Sequence, residues 1–388
     1  MKILLYHWIA YSNRFLEDNL KRMGHEVIVW YDEKFKDESA ESTEKLCIEL
    51  DKGYDIVFSY NYFKVVALAC REKGVPYFSW TQDSPMLSLY DETCYFDTNF
   101  FFCFDYEQLE GMKKRGIKNT VYCPLATDVS WLTRTADNST VEDIKKYKAD
   151  ISFVGSIYTE KNMLSTLNGL PELLKGYFAG VVEAQLALPA IRFSKTNISI
   201  DVMDMLRNVL NFTGTIESKI KYEELIDNLI DRQVTAIERE RLIDRLSHKA
   251  DFKLYTTSDT SKLPLVNNCG TVDYYNQMPK VFRHSLINMN VTLRSIRSGI
   301  PLRILDVIGS RGFLLTNAQP ELDFFFKEGE SIVTFQNLEE MDEKIDYYLL
   351  HDDERRKIIE NGYRIVADQF DFKVRLPQMF EMARIHFK

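Results

Sequence analysis

Short apolar runs alternate with amphipathic stretches along the first third of the chain, and this rhythm constrains the fold more than any other feature. Lys2-Ile3-Leu4-Leu5-Tyr6 reads as a strand, and Phe15, Leu16, Leu20 and Met23 then fall at helical spacing. Gly24-His25 closes that helix, and residues 27–30 return as a strand. The cycle repeats through predicted strands at 55–59, 77–80, 100–104 and 120–122, with helices at 63–73 and 109–114 stopped by Gly74 and Gly116. The strands are almost continuously apolar instead of alternating, so both their faces must be covered. Strands of that kind joined by helices build a parallel sheet with helices on either side.

Residues 124–128 break the rhythm, and residues 136–148 are polar and charged. The pattern restarts at Asp150-Ile151-Ser152-Phe153-Val154-Gly155-Ser156, a buried strand entering a glycine turn. Further strands are predicted at 252–255, 313–316 and 332–335, a capped helix from Asn337 to Leu350, and closing helices at 354–368 and 374–386. Between 160 and 250 the apolar residues keep helical spacing, as in Tyr222, Leu225, Ile226, Leu229 and Ile230, which predicts a helix-rich insertion. A chain of 388 residues exceeds a single core. The expectation is an α/β protein of two Rossmann-like domains, 1–128 and 149–388, facing a cleft. Residues 129–148 form the linker, and the stretch 124–139 is expected to act as the hinge.

Charge and cysteine content narrow the function. The net charge of −9 repels nucleic acid, and no apolar stretch reaches the roughly 20 residues of a membrane span. No nucleic-acid partner and no integral membrane segment are expected, and the location is read as cytoplasmic. The six cysteines lack metal-ligand spacing and are read as buried thiols.

Ligands of open α/β sheets bind beyond the carboxyl ends of the strands. No G-x-G and no G-K-[ST] occurs, so the dinucleotide fingerprint and the P-loop are both missing. Residues 281–320 instead hold five arginines (Arg283, Arg294, Arg297, Arg303 and Arg311), one acid (Asp306) and no lysine. Guanidinium groups suit planar recognition of phosphate or carboxylate, though surface ion pairs would also account for them. Ser298-Gly299-Ile300-Pro301 leads into a predicted helix start, where free N–H groups attract an anion. Arg303 and Asp306 share one helix face, suited to a diphosphate and a ribose diol, or to a plain i,i+3 ion pair.

Residues 284–317, from His284-Ser285-Leu286-Ile287-Asn288-Met289-Asn290 through Ser298-Gly299-Ile300-Pro301-Leu302-Arg303 to Thr316-Asn317, closely resemble the C-terminal domain of the CgeB-like glycosyltransferases. Ser152-Phe153-Val154-Gly155-Ser156, Asn361-Gly362 and, in the first half, Ser79-Trp80-Thr81-Gln82-Asp83-Ser84-Pro85 and Pro124-Leu125-Ala126 extend the resemblance over most of the chain. It implies a GT-B fold, with a nucleotide-sugar donor on the C-terminal domain and the acceptor on the N-terminal one. By position, Asp306 matches the second Glu of the retaining enzymes' E-x7-E motif, which binds the ribose, whereas Ser298 replaces the first Glu and leaves the stereochemistry open. Asn288, Asn290, Thr292, Arg294, Arg303 and the Gly155-Ser156 backbone are the implied diphosphate contacts. Tyr274, within 270–275, is the implied contact of the base.

No D-x-D occurs, so charge on the leaving diphosphate would be met by Arg303, Arg294 and the helix start. An acceptor hydroxyl needs a base, and two residues follow N-terminal strands: Asp83 and His7. Asp83 could equally cap a turn, and His7 could simply be a satisfied imidazole. Trp80, Tyr90 and the run 100–104 offer a sugar-stacking wall or, as aromatics usually do, core. The expected activity is metal- and cofactor-independent transfer of a hexosyl or N-acetylhexosaminyl group from a UDP-sugar to a protein or glycan. The alternatives are a nucleotide-sugar epimerase or hydrolase, and a non-catalytic nucleotide-sugar or glycan-binding protein.

Overall fold

The fold is seen in a computed structural model that describes residues 1–8, 10–31, 39–161, 170–188, 201–202, 205 and 222–386. The first half builds a parallel sheet from β1 (Lys2–His7), β2 (Glu26–Tyr31), β3 (Ile56–Tyr60), β4 (Tyr77–Trp80), β5 (Asn99–Cys103) and β6 (Thr120–Tyr122), in the order β2-β1-β3-β4-β5-β6. The second comprises β7 (Ala149–Val154), β8 (Phe252–Tyr255), β9 (Asn267–Asn268), β10 (Ser285–Asn290), β11 (Leu314–Asn317) and β12 (Val333–Phe335), ordered β12-β11-β10-β7-β8-β9. Each sheet reverses its order beside the first strand of its half, and there the crevice at the carboxyl ends opens. These are the two parallel α/β domains that the apolar strands called for. The central runs Ile3–Tyr6 and Phe100–Phe104 are fully buried, so the 100–104 aromatics and Trp80 are core and not a sugar-stacking wall. Tyr90 remains half-buried under the Arg115 guanidinium, 4.0 Å from its ring centre.

The expected linker is helical. Residues 129–148 fold into helices Val129–Asp137 and Val141–Tyr147, the second opened by a capping box between Thr140 and Asp143. Val129, Leu132, Ala136 and Tyr147 are buried, while Asp137 and Asp143 pair with Arg283 (2.8 Å) and Lys280 (2.7 Å). Both helices therefore ride with the second sheet. The chain crosses between the halves beside Thr127 and again beside Asp371, and the crossings are bonded to each other. The Thr127 N–H donates to the Phe370 carbonyl at 2.9 Å, and the Phe372 N–H to the Thr127 carbonyl at 3.2 Å. The last helix, Phe372–His386, then leaves the second sheet and covers the first. Its Phe372 ring meets Trp80 at 6.0 Å, and Phe380 meets Phe78 at 5.9 Å.

Of the expected insertion, helix Glu172–Ala187 packs Leu174, Phe178 and Val182 against Ile226, Ile230 and Val234 of helix Tyr222–Ser247. Residues 162–169, 189–200, 203–204 and 206–221 lie outside the described residues. Five cysteines are buried as read, but Cys269 is exposed beyond the short edge strand β9. No helix among the described residues is long and apolar enough to cross a membrane.

Candidate active site

Beyond the carboxyl end of β7 the chain turns at Gly155-Ser156, and beyond β10 it turns at Val291-Thr292. Arg239, from helix Tyr222–Ser247, reaches between these turns and donates to the Ser156 carbonyl at 2.6 Å and to the Val291 carbonyl. Its guanidinium lies 5.6 Å from the Phe153 ring centre and 5.0 Å from that of Tyr158, and its Nε has no hydrogen-bond partner among the described residues. Burial and the positive charge of Arg303 pull its pKa down to about 10, so it remains a cation at neutral pH. A buried cation held by carbonyls and rings, with a second cation near it, is poised for an anion. Arg239 was not singled out by sequence reasoning, although the signal existed. It lies three and four residues before Leu242 and Ile243, on the apolar face of its own helix.

The arginines of 281–320 divide sharply. Arg283 pairs with Asp137, Arg294 with Glu238, Arg297 with Glu224 (3.2 Å) and Asp227 (3.6 Å), and Arg311 with Glu360 (3.1 Å). Arg294 is thus tied up by a carboxylate, against its expected role as a diphosphate contact. Arg303, on the first turn of helix Leu302–Gly309, instead contacts the Met278 sulfur and sits over the Phe282 ring at 5.5 Å. Among the described residues no carboxylate lies within ion-pairing distance of it.

Asp306, one turn on, is fully buried. Its Oδ1 accepts from Thr127 Oγ1 at 2.9 Å and from the Tyr274 hydroxyl at 3.2 Å. Burial raises its pKa to about 6, against the opposing pull of the Arg303 cation and these two donors. Tyr274 itself is wedged between Tyr11 (5.6 Å) and Phe15 (5.9 Å) of the first domain, so it is part of the contact between halves and not an open platform for a base. Asn288 is likewise structural. Its amide donates to the Phe282 and Phe313 carbonyls at 2.9 and 3.1 Å, and its Oδ1 accepts from Ser152 at 2.9 Å, which leaves it nothing to offer a phosphate. Asn290 bridges Thr292 and Thr316 at 3.2 and 2.8 Å, and the Thr292 N–H donates to Asn317, so both brace the turn after β10 from below. Ser156 holds the turn after β7, accepting from the Tyr158 N–H at 2.8 Å and donating to Glu160.

The expected anion cradle at residues 298–301 is closed by the other domain. Asp105, after β5, accepts from the Arg297 N–H at 2.8 Å, and the single Ser298 hydroxyl proton is shared between Glu321 at 2.7 Å and Asp105 at 3.0 Å. Glu321 in turn takes the Tyr106 N–H at 2.7 Å and the Tyr122 hydroxyl at 2.5 Å, so Ser298 sits in a buried knot between domains. Gly299 fits only because it has no side chain. A Cβ there would stand 2.9 Å from the Phe104 ring and 3.0 Å from its carbonyl. Gly299→Ala is expected to lower stability by about 1–3 kcal/mol through overpacking at this joint. Urea unfolding checks this, and an unchanged midpoint would mean that the loop moves off Phe104 without cost.

On the first domain, Asp83 is exposed, and its Oδ2 accepts from Asn61 Nδ2 at 2.7 Å. Asn61, at φ 61, also accepts from the Gln82 N–H at 2.7 Å and fixes the loop that carries Asp83. The charge of Asp83 reaches across the cleft to Tyr158, whose pKa is raised chiefly by burial, with Asp83 raising it further and Arg239 opposing. Asp83 thus faces the Arg239 side of the cleft. His7 lies two strands away from β4, its ring 6.5 Å from Tyr31. Burial lowers its pKa, Glu17 opposes this, and its Nε2 is buried without a partner among the described residues. The two candidate bases lie on strands separated in the sheet, and Asp83 acts electrostatically on Tyr158, whose ring lies 5.0 Å from the Arg239 guanidinium.

Residues 232–381, which contain Arg239, Arg303 and Asp306, match the glycosyl transferase-like family. No curated protein matches the chain by sequence. Among solved structures, a glycosyltransferase from Rickettsia africae is similar at 13% identity and TM-score 0.57, covering 100% of this chain and 98% of its own. The sucrose-phosphate synthase of Thermosynechococcus elongatus is similar at 10% identity and TM-score 0.57, with 100% and 99% covered. Anabaena HepE in complex with UDP-glucose is similar at 10% identity and TM-score 0.55, with 99% and 100% covered. At such identities the likeness establishes the two-domain GT-B fold over the whole chain.

Proposed function

We propose that the chain is a glycosyltransferase that takes its sugar from a nucleoside diphosphate donor, most simply UDP-linked, and transfers it to a hydroxyl acceptor without a metal. The carrying observation is the pair Arg239 and Arg303, two cations at the strand ends of the second domain that no carboxylate among the described residues neutralises by direct contact. The family match over the same residues, and the fold shared with HepE in complex with UDP-glucose, support a nucleotide-sugar donor. The resemblance of residues 284–317 favours the CgeB-like branch.

In this reading the diphosphate lies against Arg239 and Arg303, beside the Gly155-Ser156 turn, while Asp306, fully buried under the Thr127 and Tyr274 hydroxyls, has no open face for the ribose. The acceptor oxygen attacks the anomeric carbon, the bond from that carbon to the diphosphate oxygen breaks, and UDP departs with its new charge facing the two guanidiniums. The acceptor proton passes to a base, for which the facing Asp83 is the candidate. Fixed cations in a partly dehydrated cleft serve the leaving group as a metal would, which is the basis for expecting no metal requirement.

A thermal-shift titration with UDP, GDP, dTDP, CMP and ADP in EDTA tests the donor. A ligand that binds only the native state adds RT ln(1 + [L]/Kd), about 2.7 kcal/mol at a hundredfold excess over Kd. UDP is expected to shift the melting temperature most, and UDP release from UDP-sugars is expected to persist in EDTA. No shift with any nucleotide overturns the reading, and release that requires added metal overturns metal independence.

A further inference from the structure

Helix Tyr106–Lys114 of the first domain begins against the second domain, and the N–H groups of its first turn have no carbonyl partner within the helix. One of them is capped from its own domain: the Gln108 N–H donates to Asp105 Oδ1 at 3.1 Å. The two before it are capped by the second domain, the Tyr106 N–H by Glu321 at 2.7 Å and the Glu107 N–H by Ser298 Oγ at 3.1 Å. The service is mutual, because Asp105 Oδ2 accepts from the Arg297 N–H of the second domain at 2.8 Å. Asp105, Ser298 and Glu321 are all buried, so a small slip between the domains would leave donors and carboxylates without partners or water. This clasp tolerates little play.

Both ends of the clasp lead to groups that the proposed reaction uses. On the second domain, residues 297–301 run straight into helix Leu302–Gly309, whose first turn carries Arg303. On the first domain, the Gln108 side chain reaches the loop after β4. Its Oε1 accepts from the Met86 N–H at 2.8 Å, and its Nε2 donates to the Asp83 carbonyl at 3.3 Å. The backbone of Gln108 is thus held by Asp105, which also holds the second domain, while its side chain holds the loop of Asp83. Asn61 braces that loop from the other side, but it follows β3 and ties the loop only to its own domain.

We propose that Gln108 is a positioning residue for the transfer: the clasp of Asp105, Ser298 and Glu321 seats helix Tyr106–Lys114 on the second domain, and Gln108 passes that placement to the Asp83 loop. The base is thereby kept in register with the helix of Arg303 across the cleft. The catalytic half of this rests on the glycosyltransferase reading with Asp83 as base, and the mechanical half does not.

Gln108→Ala, Ser298→Ala and the double variant are compared with the wild type by hydrogen–deuterium exchange at residues 82–88, calorimetry with UDP, and UDP release from UDP-glucose and UDP-N-acetylglucosamine with water as acceptor. Exchange at 82–88 is expected to quicken in Ser298→Ala as well as in Gln108→Ala, although Ser298 does not touch that loop. In both variants kcat for UDP release should fall about tenfold or more, since a misplaced base is costly even at a displacement of about 1 Å. Gln108→Ala should do so with the donor KM and the affinity for UDP unchanged, a split that general loss of stability would not give. The double variant should be no slower than Gln108→Ala, because both cuts break one chain of contacts. Gln108→Glu keeps the acceptor for Met86 but not the donor for Asp83, and should fall between alanine and the wild type. Unchanged exchange at 82–88 in Ser298→Ala, or single effects that simply add, overturns the relay. An unchanged kcat in Gln108→Ala overturns its positioning role. A wild-type chain that binds UDP but releases none from either sugar, with exchange responding as expected, overturns the catalytic half and leaves the clasp standing.

Discussion

Arg239→Met and Arg303→Ala each weaken UDP binding roughly 30- to 800-fold, because each removes a charge from a diphosphate held in a partly dehydrated cleft, a loss of about 2–4 kcal/mol. The two variants differ in their unliganded stability. Among the described residues Arg303 touches the Met278 sulfur and the Phe282 ring, so its loss removes little packing and acts on stability chiefly through the buried Asp306, whose ionised form its charge favours. Arg239 also ties the turn after β7 to the turn after β10 through two carbonyls, so Arg239→Met lowers the melting temperature as well. Arg239→Lys keeps the charge but not the fork, and should recover part of the affinity while still failing to hold both carbonyls. Titration calorimetry with UDP, alongside urea unfolding without ligand, separates the two contributions. If Arg303→Ala binds UDP like the wild type, the diphosphate lies elsewhere. If Arg239→Met loses stability but not affinity, Arg239 is only a strut.

The second large effect is a pH dependence centred on Asp306. Its folded pKa is raised by burial to about 6, above the ordinary aspartate value that the unfolded chain would show. A raised acid contributes stability that is fully present below the unfolded value, near pH 4, and is lost as the pH rises through about 6. For this fully buried group the loss amounts to about 3 kcal/mol between those limits, at 1.36 kcal/mol per unit. Asp306→Asn keeps an Oδ1 acceptor for Thr127 and Tyr274 but cannot ionise. The variant should therefore gain on the wild type steadily from pH 4 to pH 7, as read from urea midpoints across that range. A difference between the two proteins that stays flat with pH would show that Asp306 titrates as an ordinary surface carboxylate. Removing Arg303, whose charge opposes the upward shift, should move the transition to still higher pH.

Much of the architecture was legible because it follows from short-range rules. The near-continuous apolar runs at β1, β3, β4 and β5 can be buried on both faces only inside a parallel sheet. Gly74 and Gly116, at φ 67 and 81, end helices where a left-handed residue is needed. The Asn337 cap is formed as read, accepting from the Glu340 N–H at 2.9 Å. The helical character of the linker is less legible, because residues 136–148 are polar and charged along the chain. The linker's one buried stripe, Val129, Leu132 and Ala136, is too short to stand out until a partner surface is known.

The site divides along the same line. Residue types and local spacing marked the 281–320 segment as the place of chemistry, and they put Arg303 and Asp306 on one helical face. What the sequence by itself determined was therefore which strands form, that they lie parallel, and which segment carries the concentrated guanidiniums, since each of these depends on neighbours within a few positions. The tertiary structure alone decided which guanidiniums remain uncompensated. The acids that neutralise Arg283, Arg294, Arg297 and Arg311 come from Asp137, Glu238, Glu224 and Asp227, and Glu360, remote positions whose approach is fixed only when helices dock. Tertiary structure likewise turned Arg239 inward and drove Asp105 onto the loop at Ser298. The physical reason is that the energy of a charge depends on what surrounds it in space, and burial and pairing are properties of packing, not of order along the chain.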